Sequence, residues 1–138
     1  MLYEKELTGQ IIGAAIEVHR ELGPGLLESA YQMCLAREFS LCDVSYEREK
    51  PLPLEYKGVQ VDCGYRLDFL VDKKVVVELK AVDAIHKVHE AQLLTYLKLT
   101  NCKVGLLVNF NAPVLKDGIK RMVLEIKKTS VHSVSQWF

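Results

Sequence analysis

The chain has no surplus of charge of either sign: 18 basic residues offset 18 acidic ones, and the formal net charge is zero. No field of the whole molecule attracts nucleic acid, so any grip on phosphates must come from local clusters of Lys and Arg. No apolar run approaches the length of a bilayer span, and there is neither an internal repeat nor a low-complexity tract. Cysteines are few and scattered. Cys34, Cys42, Cys63 and Cys102 lack the paired spacing that zinc sites use. The opening MLYEKELTGQ is charged and carries no apolar signal region. The expectation is a reduced, cytoplasmic protein with no membrane association.

What is present is enough for one core. Of 138 residues, 49% are apolar or aromatic, which suits a single sheet covered by helices. The reading places one domain over residues 1–128 and a loosely held tail, TSVHSVSQWF, over 129–138. No linker is needed.

The most informative stretch is Gly64 to Lys80, GYRLDFLVDKKVVVELK, which writes a strand, a polar turn and a second strand. Tyr65, Leu67, Phe69 and Val71 alternate with Arg66, Asp68 and Leu70, and Val75, Val77 and Leu79 alternate with Val76, Glu78 and Lys80. If Asp72, Lys73 and Lys74 form the loop, Val71 faces Val75, Asp68 faces Glu78 and Arg66 faces Lys80. A one-residue slip would turn a whole strand inside out. One face then belongs in a core. The other sets two carboxylates across a strand pair, about 5 Å apart at Cβ, where they repel unless a cation or a proton lies between them. A divalent cation such as Mg2+ needs only one or two protein carboxylates, and Lys80 would lie beside it. Exposed ion pairs with Arg66 and Lys80 are the competing use of the same residues.

Around this hairpin the chain reads in order. Leu2 to Leu22 has helical spacing and ends at Gly23-Pro24-Gly25. His19 lies by its apolar stripe, as a packed histidine or a metal ligand. A second helix runs from about Leu26 to Ser40. Glu28 is in its first turn, where the helix dipole favours a carboxylate, and it is three residues from Tyr31, so both can face one place. Val44 to Cys63 is interrupted strand, with Pro51 and Pro53 at an edge or connection and a turn at Lys57-Gly58. Ala84 to Thr100 is a helix on which His89, Gln92 and Tyr96 share a face. KVGLLVNF, residues 103–110, is a strand buried on both sides. GIKRMVLEIK, residues 118–127, reads as strand rather than helix. The sum is an α/β sandwich with a mixed central β-sheet flanked by α-helices. Lys116, Lys120, Arg121, Lys127 and Lys128 cluster late, as a solvated face or as phosphate contacts.

The run Gly25-Leu26-Leu27-Glu28-Ser29-Ala30-Tyr31 resembles the signature of the GxxExxY proteins, a group within the PD-(D/E)XK nuclease superfamily. The similarity extends through YRLDFLV, VVVELKAV, HEAQLLTYLKLT, VGLLVNF and GIKR, nearly the whole chain. The literal Pro-Asp of the superfamily's name is absent, since Leu67 precedes Asp68. The resemblance implies a restriction-endonuclease-like core and a Mg2+-dependent nuclease, with Mn2+ as a substitute. It implies Asp68 and Glu78 as metal ligands, the Leu79 carbonyl as a further ligand, and Lys80 as the group that orients or activates water. Glu28 would complete the acidic cluster, as a catalytic residue and metal ligand, and Gln92, Tyr96 and Tyr31 would bind substrate. The implied partner is nucleic acid, DNA ahead of RNA. Two other readings stand beside it: a catalytically silent nucleic-acid-binding or adaptor module of the same fold, and a structural subunit whose tail, ending Trp137-Phe138, docks on a protein partner or a second copy in a homo-oligomer.

Overall fold

The structure, a computed structural model, describes residues 3–125. Two helices come first: α1 (Lys5–Leu22) and α2 (Glu28–Leu41). Thr8, Ile11, Ala15 and Val18 fall at helical spacing on the buried side of α1. Its end is set by Gly23, whose φ of 68° is left-handed and whose N–H donates to the His19 carbonyl at 2.7 Å. Gly25 repeats the left-handed turn at φ 99°, so the chain doubles back and α2 packs on α1.

Among the described residues seven strands follow: β1 (Tyr46–Pro51), β2 (Leu54–Tyr56), β3 (Val59–Val61), β4 (Arg66–Val71), β5 (Val75–Lys80), then, after α3 (Lys87–Thr100), β6 (Val104–Asn109) and β7 (Ile119–Val123). A short 3-10 turn, Leu115–Gly118, leads into β7. Five strands make one mixed sheet in the order β1-β4-β5-β6-β7, with only the β5–β6 pair parallel. The parallel pair is joined by the helix crossover that such pairing requires. β2 and β3 form a separate hairpin closed by Lys57-Gly58, both with positive φ, as a two-residue primed turn demands.

The sheet has a helical layer on each face. Against one face, α1 and α2 pack Ile11, Ala15, Tyr31, Leu35 and Phe39 onto Phe69, Val71, Val77, Leu106 and Val108. On the other, α3 packs Leu93, Tyr96 and Leu97 onto Leu67, Leu70, Val76 and Leu107. β5 and β6 are buried on both sides, which is why they read as nearly continuous apolar runs. Gly105 allows α3 to lie close: a Cβ there would meet Leu93 side-chain carbons at 2.9 to 3.0 Å. The expected α/β sandwich with a mixed central sheet is therefore the observed architecture.

Details differ from the expected elements. α1 starts at Lys5, and α3 starts at Lys87 rather than near Ala84. Asn109 holds the intervening chain, accepting from Val82 N–H at 3.1 Å and donating to Val82 C=O at 2.9 Å. The expected strand over 118–127 is Ile119–Val123, antiparallel to β6. Residues 126–138, including Lys127, Lys128, the 129–138 tail and Trp137-Phe138, lie outside the described residues. His19 is packed, its Nε2 donating to the Ala112 carbonyl at 2.8 Å beside Phe110. Among the described residues no helix is long and apolar enough to cross a membrane.

Candidate functional site

The β4–β5 hairpin has the register its alternation predicts, Val71 opposite Val75, Leu70 opposite Val76 and Phe69 opposite Val77. Asp72 and Lys73 in its loop both adopt left-handed φ, as a primed turn requires. Beyond Phe69 the backbone ladder stops. In place of the next rung, the Glu78 carboxylate accepts the N–H of Asp68 at 2.8 Å and the Asp68 carboxylate accepts the N–H of Leu79 at 2.8 Å. Two side chains have taken over hydrogen bonds that backbone carbonyls would have made. The strands are thereby parted, with both carboxylates fixed in the gap.

This exchange corrects the expected two-faced hairpin. Tyr65, Leu67, Phe69 and Val71 were to share one face, yet Leu67 packs with α3 while Phe69 and Val71 pack with α1 and α2. Tyr65 also turns to α3, its ring 6.4 Å from that of Tyr96. The alternation breaks at Asp68, where the ladder gives way to side-chain bonds, and the expected Arg66–Lys80 pair does not form. The other neighbour is disturbed at the same level. Pairing with β1 runs through Arg48–Phe69 and Lys50–Leu67, but Glu49, between them and opposite Asp68, takes a φ of 52°. A left-handed glutamate inside a strand is uncommon.

Burial and mutual charge decide the state of the carboxylate pair. Glu78 is only 5% exposed. Burial above all, then the negative charge of Asp68, pushes its carboxyl up to about 8. Asp68 is raised too, chiefly by burial, although the Leu79 N–H and the Gln32 amide pull the other way. Gln32, buried on α2, donates from Nε2 to Asp68 Oδ1 at 2.8 Å. Lys80 is half-buried at the end of β5, and its charge favours the ionised forms of Asp68, Glu78 and Glu28. Glu28, at the start of α2, is exposed but raised by partial desolvation and by the charge of Asp68.

From the α3 side, Tyr96 is 6% exposed, and its phenol is raised by burial first and then by the charge of Glu78. Gln92, one turn before it, lines with Tyr96 a groove that also includes Tyr65. His89 stands one turn earlier again. Its Nδ1 accepts the His86 N–H at 3.0 Å, and partial burial followed by the charge of Lys80 lowers its pKa. An imidazole whose Nδ1 accepts carries its proton, when neutral, on Nε2.

Asp68, Glu78, Lys80, Glu28 and Tyr96 are thus electrostatic neighbours at one end of the sheet, with Gln92 in the adjoining groove. Tyr31 is not part of that cluster. It is fully buried, stacks on Phe110 at 4.4 Å, and its hydroxyl donates to the Gly23 carbonyl and accepts the Leu26 N–H. It braces the Gly23–Leu26 turn just before Glu28, with its hydroxyl turned inward. Gln32 and Glu49 went unnoticed in the sequence. Gln32 had a signal: it is a polar residue between Tyr31 and Leu35 on the inner side of α2, four residues after Glu28.

As a metal site the arrangement is sparse. Among the described residues no three His, Cys, Asp or Glu side chains form a ready cage. Two carboxylates suffice for a hard cation that keeps its waters. Asp68 uses one lone pair on each oxygen, leaving others free. The carbonyl of Lys80 accepts from Phe110 N–H on the β6 side. Alternation along the strand therefore turns the Leu79 carbonyl toward the β4 gap. The donor set fits a divalent cation.

Comparison with known proteins yields one result. No curated protein and no solved structure matches the chain. A family model of the PD-(D/E)XK nuclease superfamily matches residues 5–122, a span running from the first residue of α1 into β7 and taking in the parted hairpin and both helical layers. By that match the protein belongs to the PD-(D/E)XK nuclease superfamily.

Proposed function

We propose that this protein is a Mg2+-dependent nuclease of the GxxExxY type that hydrolyses phosphodiester bonds, with DNA as the substrate. The superfamily generally comprises nucleases that typically use divalent metals. One observation carries the finer reading: the Glu78 carboxylate on the Asp68 N–H and the Asp68 carboxylate on the Leu79 N–H hold two carboxylates, one buried and one half-buried, in an opened strand gap with Lys80 alongside.

Asp68 and Glu78, with the Leu79 carbonyl, would hold Mg2+, or Mn2+ in its place. A cation so held supplies charge neutralisation on the phosphate and a water of lowered pKa. The chain's own groups do the rest. Gln32 fixes the orientation of Asp68 through Oδ1. Lys80 presents a positive charge, which steadies the negative charge that builds on phosphorus-bound oxygen as water adds and the leaving oxygen departs. Glu28, exposed at the start of α2 and within the field of Asp68 and Lys80, would complete the acidic cluster. Gln92 and Tyr96, on the α3 wall, meet the nucleotide next to the scissile bond.

The reading is tested with end-labelled DNA in Mg2+, in Mn2+ and in EDTA. Cleavage is expected to require metal and to be lost in Lys80→Met and in Glu78→Gln. Cleavage retained by both variants overturns the proposal.

A further inference from the structure

Beside the parted hairpin lies a groove of about 180 Å3 lined by Leu54, Tyr65, Gln92, Thr95, Tyr96 and Leu99. Its composition is specific. Two tyrosine rings and two leucines give flat apolar walls, while an amide and a hydroxyl supply both donors and acceptors. Tyr65 is 43% exposed and is not needed to fill the core. Its backbone is nevertheless fixed, because its carbonyl accepts the N–H of buried Leu52 at 2.9 Å and Gly64 before it is turned by a bond to the Asp62 side chain. The groove is continuous with the acidic pair through Tyr96, which lines it and whose phenol feels the charges of Glu78 and Asp68.

We infer that this groove receives one unpaired nucleobase next to the scissile phosphate, stacked on Tyr65, so that the protein acts on single-stranded segments or frayed ends and not on intact duplex. The inference rests on the nuclease reading and adds the form of the substrate. A base in a duplex is stacked on both faces and paired along its edge, so it cannot enter. An unpaired base offers a face to Tyr65 and an edge to Gln92 and Thr95, the usual means of gripping single strands.

The test is binding of labelled oligothymidylate and of a matched duplex, by fluorescence anisotropy in EDTA, to wild type, Tyr65→Ala and Tyr65→Phe. Cleavage of the same substrates in Mg2+ is followed in parallel. Wild type is expected to prefer the single strand, Tyr65→Ala to lose about tenfold in single-strand affinity, the size of one lost base stack, and Tyr65→Phe to keep it. Equal affinity of wild type and Tyr65→Ala for the single strand, or duplex bound as tightly, overturns the inference. The two readings fail separately. Metal-dependent cleavage with an unchanged single-strand to duplex ratio in Tyr65→Ala removes the base groove and leaves the nuclease. Tyr65-dependent single-strand binding with no cleavage of any substrate supports the groove and removes the nuclease.

Discussion

Replacing Glu78 by Gln should make the metal-free protein more stable at alkaline pH while leaving it unchanged in acid. Glutamine keeps an acceptor oxygen for the Asp68 N–H, so the bond that parts the strands survives. What disappears is a charge. In the folded protein the Glu78 carboxyl is pushed up to about 8 from an ordinary 4.5, by burial and by Asp68. Between those values the unfolded chain releases the proton and the folded chain keeps it, so stability is full below about 4.5 and falls as pH rises through 8. Each pH unit in the window removes up to ~1.4 kcal/mol. The whole loss is therefore on the order of a few kcal/mol, large against a typical domain stability of roughly 5–15 kcal/mol. Urea unfolding in EDTA at pH 5 and pH 9 reads this directly. Wild type should lose that amount between the two, and Glu78→Gln should lose much less. A wild type equally stable at both pH values, or a Glu78→Gln protein less stable than wild type at pH 9, would refute the electrostatic account of the pair.

Two further variants separate positioning from packing. Gln32→Leu removes the donor to Asp68 Oδ1, and loss of such an orienting partner should weaken Mn2+ binding by about 10- to 100-fold, measured by calorimetric titration with unfolding as the control. Tyr31→Phe keeps the stack on Phe110 but deletes the hydroxyl that bonds Gly23 and Leu26; it should cost about 1–3 kcal/mol of stability, with metal affinity unchanged under conditions where the variant is folded.

Much of this fold was legible because its patterns are local. Alternation and a polar loop placed Val71 opposite Val75 and so brought Asp68 level with Glu78. KVGLLVNF announced a strand buried on both sides, and the Lys57-Gly58 turn held. What stayed hidden depended on contacts distant in the chain. Leu67 turns to α3 where the Glu78 carboxylate takes the Asp68 N–H and the Asp68 carboxylate takes the Leu79 N–H, an event that periodicity cannot express. Asn109 ties down Val82, in the segment before α3, from 27 residues away. Tyr31 and Glu28 look like partners on one helix face, but the turn before α2 draws the Tyr31 hydroxyl inward and leaves Glu28 at the rim. Gln32 acquires its role only when α2 is laid across the sheet. Glu49 interrupts the β1–β4 pairing opposite Asp68 with a φ of 52°, which no local pattern announces.

The central claim is that Asp68 and Glu78 hold a divalent cation in place of a shared proton. Its most direct test is calorimetric titration of Mn2+ into wild type and Asp68→Asn at pH 7, in two buffers of different ionisation enthalpy. The account predicts one site in the wild type, release of about one proton as the cation enters, and loss of both in the variant. Mn2+ binding that survives Asp68→Asn, or that releases no proton from the wild type, would contradict it.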